Sequence, residues 1–351
     1  MQSRFSEGVL FAIGNPLLDI SAEADPAFLT KYGLEANNAI LAEDSHKSMY
    51  ADMVEKYKVD YVPGGATQNS IRVAQWLIGV PKATTFMGCI GKDKFGEILE
   101  AKSREGGVNV SYQYHDTEPT GTCAVLLTGE NRLNRSLVAY LAAANKFSIK
   151  HLEQPENKAL IEKARFYYMS GFPLTVCPDA MLSVAKHASA NDKVFSMNLS
   201  APFLCSFFKE PMMKLLPYVD ILFGNESEAA EFSKANDLGL TDMKEIALRI
   251  ARYPKENGKK GRVVVFTQGA DPTIIVQEGK VIIYPVIHID PKDIVDTNGA
   301  GDAFVGGFLA QLVQGGTVED CVRAANYAAN FIIQRSGCTL PDKPEFTIGC
   351  F

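Results

Sequence analysis

The chain has 351 residues, of which 46% are hydrophobic and 22% charged, an ordinary balance for a folded domain with a sizeable core. Its formal charge of -6 argues against a basic face for nucleic acid. No apolar run approaches the roughly 18 residues that a membrane span needs, and the opening MQSRFSEGVLFAIGNP reads as a short strand, not a secretory leader.

Strand-like apolar runs are expected at 9–14, 83–91, 166–172, 194–200, 220–225 and 262–269. Between them lie amphipathic stretches such as NSIRVAQWLIG, DAMLSVAKHASAN and ESEAAEFSKAN. Alternation of this kind predicts an α/β fold with a mainly parallel sheet between two helical layers. TIIV and VIIYPV, joined across 277–280, predict an antiparallel hairpin at the sheet edge. Residues 17–61 and 119–141 alternate without a crossover helix, as in PTGTCAVLLTG, and predict a small β-rich lid. The expected division is therefore 1–16, 63–117 and 143–351 for the large domain, with 17–62 and 118–142 for the lid.

The seven cysteines include no CxxC pair, and the five histidines include no HExxH. Free thiols in a reducing compartment are expected, with no zinc site. The expected location is the cytoplasm, with the nucleus as a second compartment. Small and amide residues close several strands: Asn15, Gly88, Gly171, Asn198, Asn225 and Gly269. Ligands of open α/β sheets bind beyond the carboxyl ends of the strands, so one site built from many loops is expected. Turn chemistry alone explains any single one of these positions.

The stretch DTNGAGDAFVGGFLAQLVQGG carries the most chemistry. Phe304, Phe308 and Leu312 recur at helical spacing, and Gly315 and Gly316 give a stop, so a helix begins near Gly299. Its free N–H groups would bind an anion beside Gly299, Ala300 and Gly301. Asp302 follows in the first turn. An acid beside an anion hole makes sense as a base that takes a proton from a hydroxyl attacking phosphorus. An N-capping acid on a structural helix is the competing reading. A dinucleotide fingerprint would need Gly where Phe304 stands, and a P-loop would need Lys where Gly307 stands. Gly306 and Gly307 together cost a helix about 2 kcal/mol against alanine, which predicts close packing against a strand or a ligand.

Further upstream, GGATQNS places Gly64, Gly65 and Asn69 at a helix start suited to sugar hydroxyls, and GNPLLDIS adds Asn15 and Asp19. NESE places Asn225 and Glu228 at a strand end, where they could order Mg²⁺ waters or simply cap a helix. TQGA places Thr267 and Gly269 where backbone could line a nucleotide site.

GGATQNS and DTNGAGD resemble the two signatures of the ribokinase-like (PfkB) carbohydrate kinases, and the similarity runs over essentially the whole chain. The adenosine-phosphorylating branch is the closer match, through GNPLLDIS, LAEDSHK, TQNSIRVAQW, GCIGKDKFGEIL, PTGTCA, LAAAN, NLSAPF, PYVDILFGNE and DTNGAGDAFVGGFL. The resemblance implies a ribokinase-like three-layer α/β/α domain with a β-rich lid, and transfer of the ATP γ-phosphate to the 5′-hydroxyl of adenosine. It implies Asp302 as base and Gly299, Ala300 and Gly301 as anion hole. Asp19, Gly64, Gly65, Asn69 and Asn298 would hold the ribose. Asn15, Leu17, Ile40, Cys123, Leu137, Ala139, Leu141, Phe172 and Phe203 would form the nucleoside pocket. ATP would lie along Asn198, Thr267 and Gly269, with Asn225 and Glu228 serving Mg²⁺ and phosphate. A monovalent cation, K⁺, beside Asp296 is an open question raised by related sugar kinases. The lid sequence GENRLNRSLVAYLAAAN looks about three residues longer than the family's and carries two candidate cations, Arg132 and Arg135; the flanking residues favour Arg135 for stabilising the transferred charge. The expected partners are adenosine and ATP, with no nucleic acid or membrane, and the expected state is a monomer. Two alternatives stay open at this point: a kinase for another nucleoside or a sugar, and a non-catalytic nucleoside-binding protein.

Overall fold

The computed structural model describes residues 7–36, 38–129 and 134–346, with only the backbone at 39, 134 and 135. Fourteen strands among these residues form two sheets: β1 (Leu10–Ile13), β2 (Leu17–Glu23), β3 (Ala39–Leu41), β4 (Asp60–Gly64), β5 (Thr84–Gly91), β6 (Asn109–His115), β7 (Thr122–Thr128), β8 (Asn134–Tyr140), β9 (Phe166–Met169), β10 (Val194–Asn198), β11 (Ile221–Asn225), β12 (Val263–Gln268), β13 (Asp271–Gln277) and β14 (Lys280–Tyr284).

The larger sheet runs in the order β14-β13-β12-β11-β10-β9-β1-β5-β6. From β12 to β6 every pairing is parallel, while β13 and β14 add the antiparallel edge that the hairpin pattern predicts. Apolar clusters cover both faces, as a parallel sheet between helices requires. One sits under the helices Ala66–Ile78 and Ala300–Val313, the other under Pro178–Ala190 and Met243–Ala251. The edge strand β6, NVSYQYH, had no counterpart among the expected strands. It alternates polar and apolar residues and keeps one side half-exposed, so it lacks the continuous apolar run of its neighbours.

The smaller sheet has the order β3-β8-β7-β2-β4. Leu18, Ile20, Ala124 and Val138 turn to one face and are buried together with Phe28, Met49, Tyr50 and Met53 from two short helices. The alternate residues Leu17, Asp19 and Cys123 turn to the other face.

At the end of the large sheet away from the strand carboxyl termini, Arg262 is buried and donates all its guanidinium hydrogen bonds to main-chain carbonyls of Leu216, Val219, Ile250, Tyr253 and Pro254. Burial draws its pKa down to about 10, with Asp220 opposing. That end is thereby pinned, and the opposite end carries the loops.

The two glycines inside Ala300–Val313 are explained by helix packing, not by a strand or ligand as the sequence suggested. A β-carbon on Gly306 would stand 2.5 Å from the Ser70 carbonyl oxygen, and one on Gly307 would stand 2.4 Å from that of Ala324. Three helices thus meet at near-backbone contact, and an added methyl there costs about 1–3 kcal/mol in overpacking.

Candidate active site

The helix Ala300–Val313 starts from Gly299, whose φ of +80° lies in the left-handed region and suits glycine. No side chain caps this start. The Ala300 N–H makes a long 3.3 Å bond to the Thr297 carbonyl, and the Ala303 N–H closes the first helical bond on Gly299 at 2.8 Å. Helical geometry leaves the Gly301 and Asp302 N–H groups aimed outward. A β-carbon on Gly301 would meet nothing within 4 Å, so the space before these donors is open. The helix dipole adds partial positive charge at the same point.

Asp302 lies one turn in. Its Oδ2 accepts a 3.0 Å hydrogen bond from Asn69 Nδ2, on a helix start 233 residues earlier in the chain. The residue keeps a partial opening to the cleft, but protein surrounds enough of the carboxyl to push its pKa up to about 7. Burial is the main cause; the Asn69 bond opposes it, and the charges of Asp19 and Glu228 add to it. A carboxylate poised near neutrality is suited to accept a proton from an alcohol.

The glycines of GGATQNS bring the other polar groups close. Gly65 has φ +92°, and a β-carbon there would stand 2.2 Å from the Asn15 carbonyl oxygen. One on Gly64 would stand 2.4 Å from the Asp19 carboxylate. Asn15 and Asp19 therefore come this close to the start of the helix that carries Asn69 only because two side chains are missing.

Pairing register sorts the apolar residues expected to line the nucleoside pocket. Asp19 stands opposite Cys123, and Cys123 opposite Ala139, so the three share a face. Leu17 and Leu137 lie two residues along on the same face, and Leu141 continues that row beyond β8. The rings of Phe172 and Phe203 stand 6.4 Å apart at the starts of two short helices, Phe172–Thr175 and Pro202–Phe207. Ile40 departs from this set. It is in register with buried Val138 and packs against the core on the opposite face. Its neighbour Leu41 is paired with Ala139, faces the pocket side and is 67% exposed. The parity of a three-residue edge strand decides this, and the sequence around it offers no alternation long enough to set the parity. Arg135 has its backbone in β8, opposite Leu127, and its side chain lies outside the described residues. Arg132 lies outside them altogether.

Asn298 donates from both its backbone N and its Nδ2 to Asp296 Oδ1 at 2.9 Å, and the second carboxylate oxygen of Asp296 accepts from the Gly337 N–H at 3.0 Å. Asp296 is thus a buried brace for the turn before Gly299, and Asn298 is drawn toward it.

On the other flank, Asn198 and Asn225 end the adjacent parallel strands β10 and β11, Thr267 stands next to last in β12, and Gly269 turns at φ +57° into β13. Asn225 and Glu228 form a reciprocal helix cap: Asn225 Oδ1 accepts from the Glu228 N–H, and the Glu228 carboxylate accepts from the Asn225 N and Nδ2, all at 3.0 Å. Glu228 is buried, and burial pushes its pKa up to about 7 against the backbone donors of Asn225 and Ser200. Among the described residues no three His, Cys, Asp or Glu side chains gather as a metal site. The donor set at Asn225 and Glu228 fits a hydrated Mg²⁺ held through its waters better than one bound directly, since the carboxylate is already engaged.

Residues 27–345 match the family described as "pfkB family carbohydrate kinase". The chain is 54% identical over 340 residues to adenosine kinase 2 of Arabidopsis thaliana, covering 97% of this chain and 98% of that one. It is 44% identical over 332 residues to adenosine kinase of Dictyostelium discoideum, covering 95% and 96%. Among solved structures, Anopheles gambiae adenosine kinase in complex with P1,P4-di(adenosine-5) tetraphosphate superposes with a TM-score of 0.87 at 50% identity, covering 97% of this chain and all of that one. Schistosoma mansoni adenosine kinase in complex with 2-fluoroadenosine gives 0.85 at 39% identity, covering 96% and 98%.

Proposed function

The chain belongs to the pfkB family of carbohydrate kinases, and from that premise we infer that it phosphorylates adenosine with ATP, giving AMP and ADP. The observation that carries the chemistry is the Asp302 carboxylate, poised near neutrality one turn inside an open, uncapped helix start. Adenosine lies on the face of the small sheet that carries Leu17, Asp19, Cys123 and Ala139, with Phe172 and Phe203 against the base. Asp19, Asn69 and the main chain around Gly64 and Gly65 hold the ribose. Asp302 takes the 5′-hydroxyl proton as O5′ bonds to the γ-phosphorus. The bond from that phosphorus to the β,γ-bridging oxygen breaks, and ADP leaves. The N–H groups of Gly301 and Asp302, backed by Gly299 and Ala300, hold the charge on the moving phosphoryl group; each such donor is worth roughly 3 kcal/mol in the transition state. Arg135 adds a cation from the lid.

ATP lies along Asn198, Thr267 and Gly269. Asn225 and Glu228 would hold the waters of Mg²⁺, which supplies charge neutralisation on the phosphates when bound. Residues 17–62 and 118–142 act as the lid over the large domain, and the protein works as a monomer in the cytoplasm. No described helix is long and apolar enough to cross a membrane.

ADP formation, followed by a coupled assay with ATP and Mg²⁺, tests the reading. Adenosine is the expected acceptor, at least 100-fold better in kcat/KM than inosine, guanosine, ribose or fructose. Equal turnover of a simple sugar overturns the acceptor, and absence of ADP with every acceptor overturns the reaction. Repeating the assay with and without K⁺ decides whether a monovalent cation takes part beside Asp296.

A further inference from the structure

Six non-glycine residues among those described have positive φ: Lys82, Ala142, Asp192, Ser200, Asp237 and Glu278. Lys82, Asp192, Asp237 and Glu278 sit on exposed turns, where such angles are absorbed by open chain. Ser200, at φ +68°, is half-buried and falls two residues past the end of β10. Serine rarely adopts this conformation, and its persistence means that the surroundings over-determine it.

The surroundings are the ends of three strands. The Gly171 N–H, past the end of β9, donates to Ser200 Oγ at 2.8 Å. Ser200 Oγ in turn donates to the Asn198 carbonyl at 3.3 Å, and the Ser200 N–H donates to Asn198 Oδ1 at 3.0 Å. The Leu199 N–H between them donates to the Phe223 carbonyl of β11 at 3.0 Å. The Ser200 backbone also opposes the rise in the Glu228 pKa. The approach at Gly171 is tight: a β-carbon there would stand 2.7 Å from the Leu199 carbonyl oxygen. One serine thus joins the turn that carries Phe172, on the nucleoside side, to Asn198 and Glu228, on the nucleotide side.

We propose that Ser200 is a positioning residue, held in a left-handed turn so that its hydroxyl and N–H fix the Asn198 amide and the Gly171–Phe172 turn in one arrangement across both substrate sites. The inference rests on the kinase reading above and deepens it. With the hydroxyl gone, Gly171 loses its acceptor and the Gly171–Phe172 turn regains freedom, while the Ser200 N–H still holds Asn198 Oδ1.

Ser200→Gly separates this role from plain stability, because glycine accommodates the angle while removing the hydroxyl. The expected result is a Tm within about 2 °C of the parent, with kcat/KM for adenosine about tenfold lower and KM for ATP within about threefold. Ser200→Asn, which tolerates the angle and keeps an acceptor, loses less than Ser200→Gly. The proposal is overturned if Ser200→Gly keeps kcat/KM for adenosine within twofold of the parent, if its loss of activity simply tracks a loss of Tm, or if Ser200→Asn is the weaker of the two. A parent protein that forms no ADP from adenosine and ATP fails the kinase reading instead; a parent that does, with Ser200→Gly unaffected, fails this proposal alone.

Discussion

Two helix starts in this molecule carry a first-turn carboxylate pushed up to about 7 by burial, and the two are built for opposite ends. At Glu226–Ala235 the carboxylate of Glu228 closes a reciprocal cap with Asn225, and both partners spend their polar atoms on the helix itself. At Ala300–Val313 the cap position is a glycine with no side chain to offer, and Asp302 is held by Asn69 from a distant helix. A cap satisfied from within serves the fold. One left open, with its acid gripped from across the site, keeps donors and acceptor available for a substrate. On the function proposed above, the difference separates a residue that shapes the nucleotide side from one that does chemistry.

The sharpest way to break this contrast is to neutralise each acid. Asp302→Asn is expected to lower kcat by roughly 10²–10⁴-fold, the range of a lost general base, with adenosine binding retained in equilibrium titration. Gly299→Ala comes next: a side chain at φ +80° strains or shifts the helix start, and kcat is expected to fall about 100-fold, as for a misplaced oxyanion donor. Asn69→Ala removes the bond that opposes the rise at Asp302, so the acid limb of kcat/KM is expected to move to higher pH, with about a tenfold loss at pH 7. Glu228→Gln is the smallest: kcat within about threefold, with the change appearing in the Mg²⁺ concentration needed.

Stability gives an independent reading of the same pair. Both carboxyls have folded pKa values above their unfolded ones, so the folded state binds more protons across that window. Their contribution is fully present below about pH 4 and is lost as pH rises toward about 7. Chemical denaturation from pH 4 to 8 is therefore expected to show a shallower decline in Glu228→Gln than in the parent. An unchanged slope would mean that Glu228 is not buried as described.

Much of this was legible in the chain because glycine and carboxylate carry local meaning. The helix start near Gly299 and the stop at Gly315 both follow from a stretch of 21 residues read alone, whereas the left-handed angle at Gly299 came from the structure. The parallel strands were visible where apolar runs are continuous, and β6 was not, because an edge strand need bury only one side. The grip of Asn69 on Asp302 spans the chain and leaves no local trace. Strand parity was equally hidden: Ile40 and Leu41 differ by one position, and only pairing with β8 shows that Leu41 faces the pocket. The close contacts of Gly306 and Gly307 were anticipated, but only the packing shows that their neighbours are helices.

Single-turnover formation of AMP across pH 5–9 puts the assignment of Asp302 as proton acceptor to the test. The parent rate is expected to rise with a one-proton slope through about pH 7, as Asp302 loses its proton. Asp302→Asn is expected to be flat over the same range and roughly 10²-fold slower or more, with adenosine and ATP both bound. An Asp302→Asn protein that keeps the rising limb at a rate near the parent's would contradict the assignment.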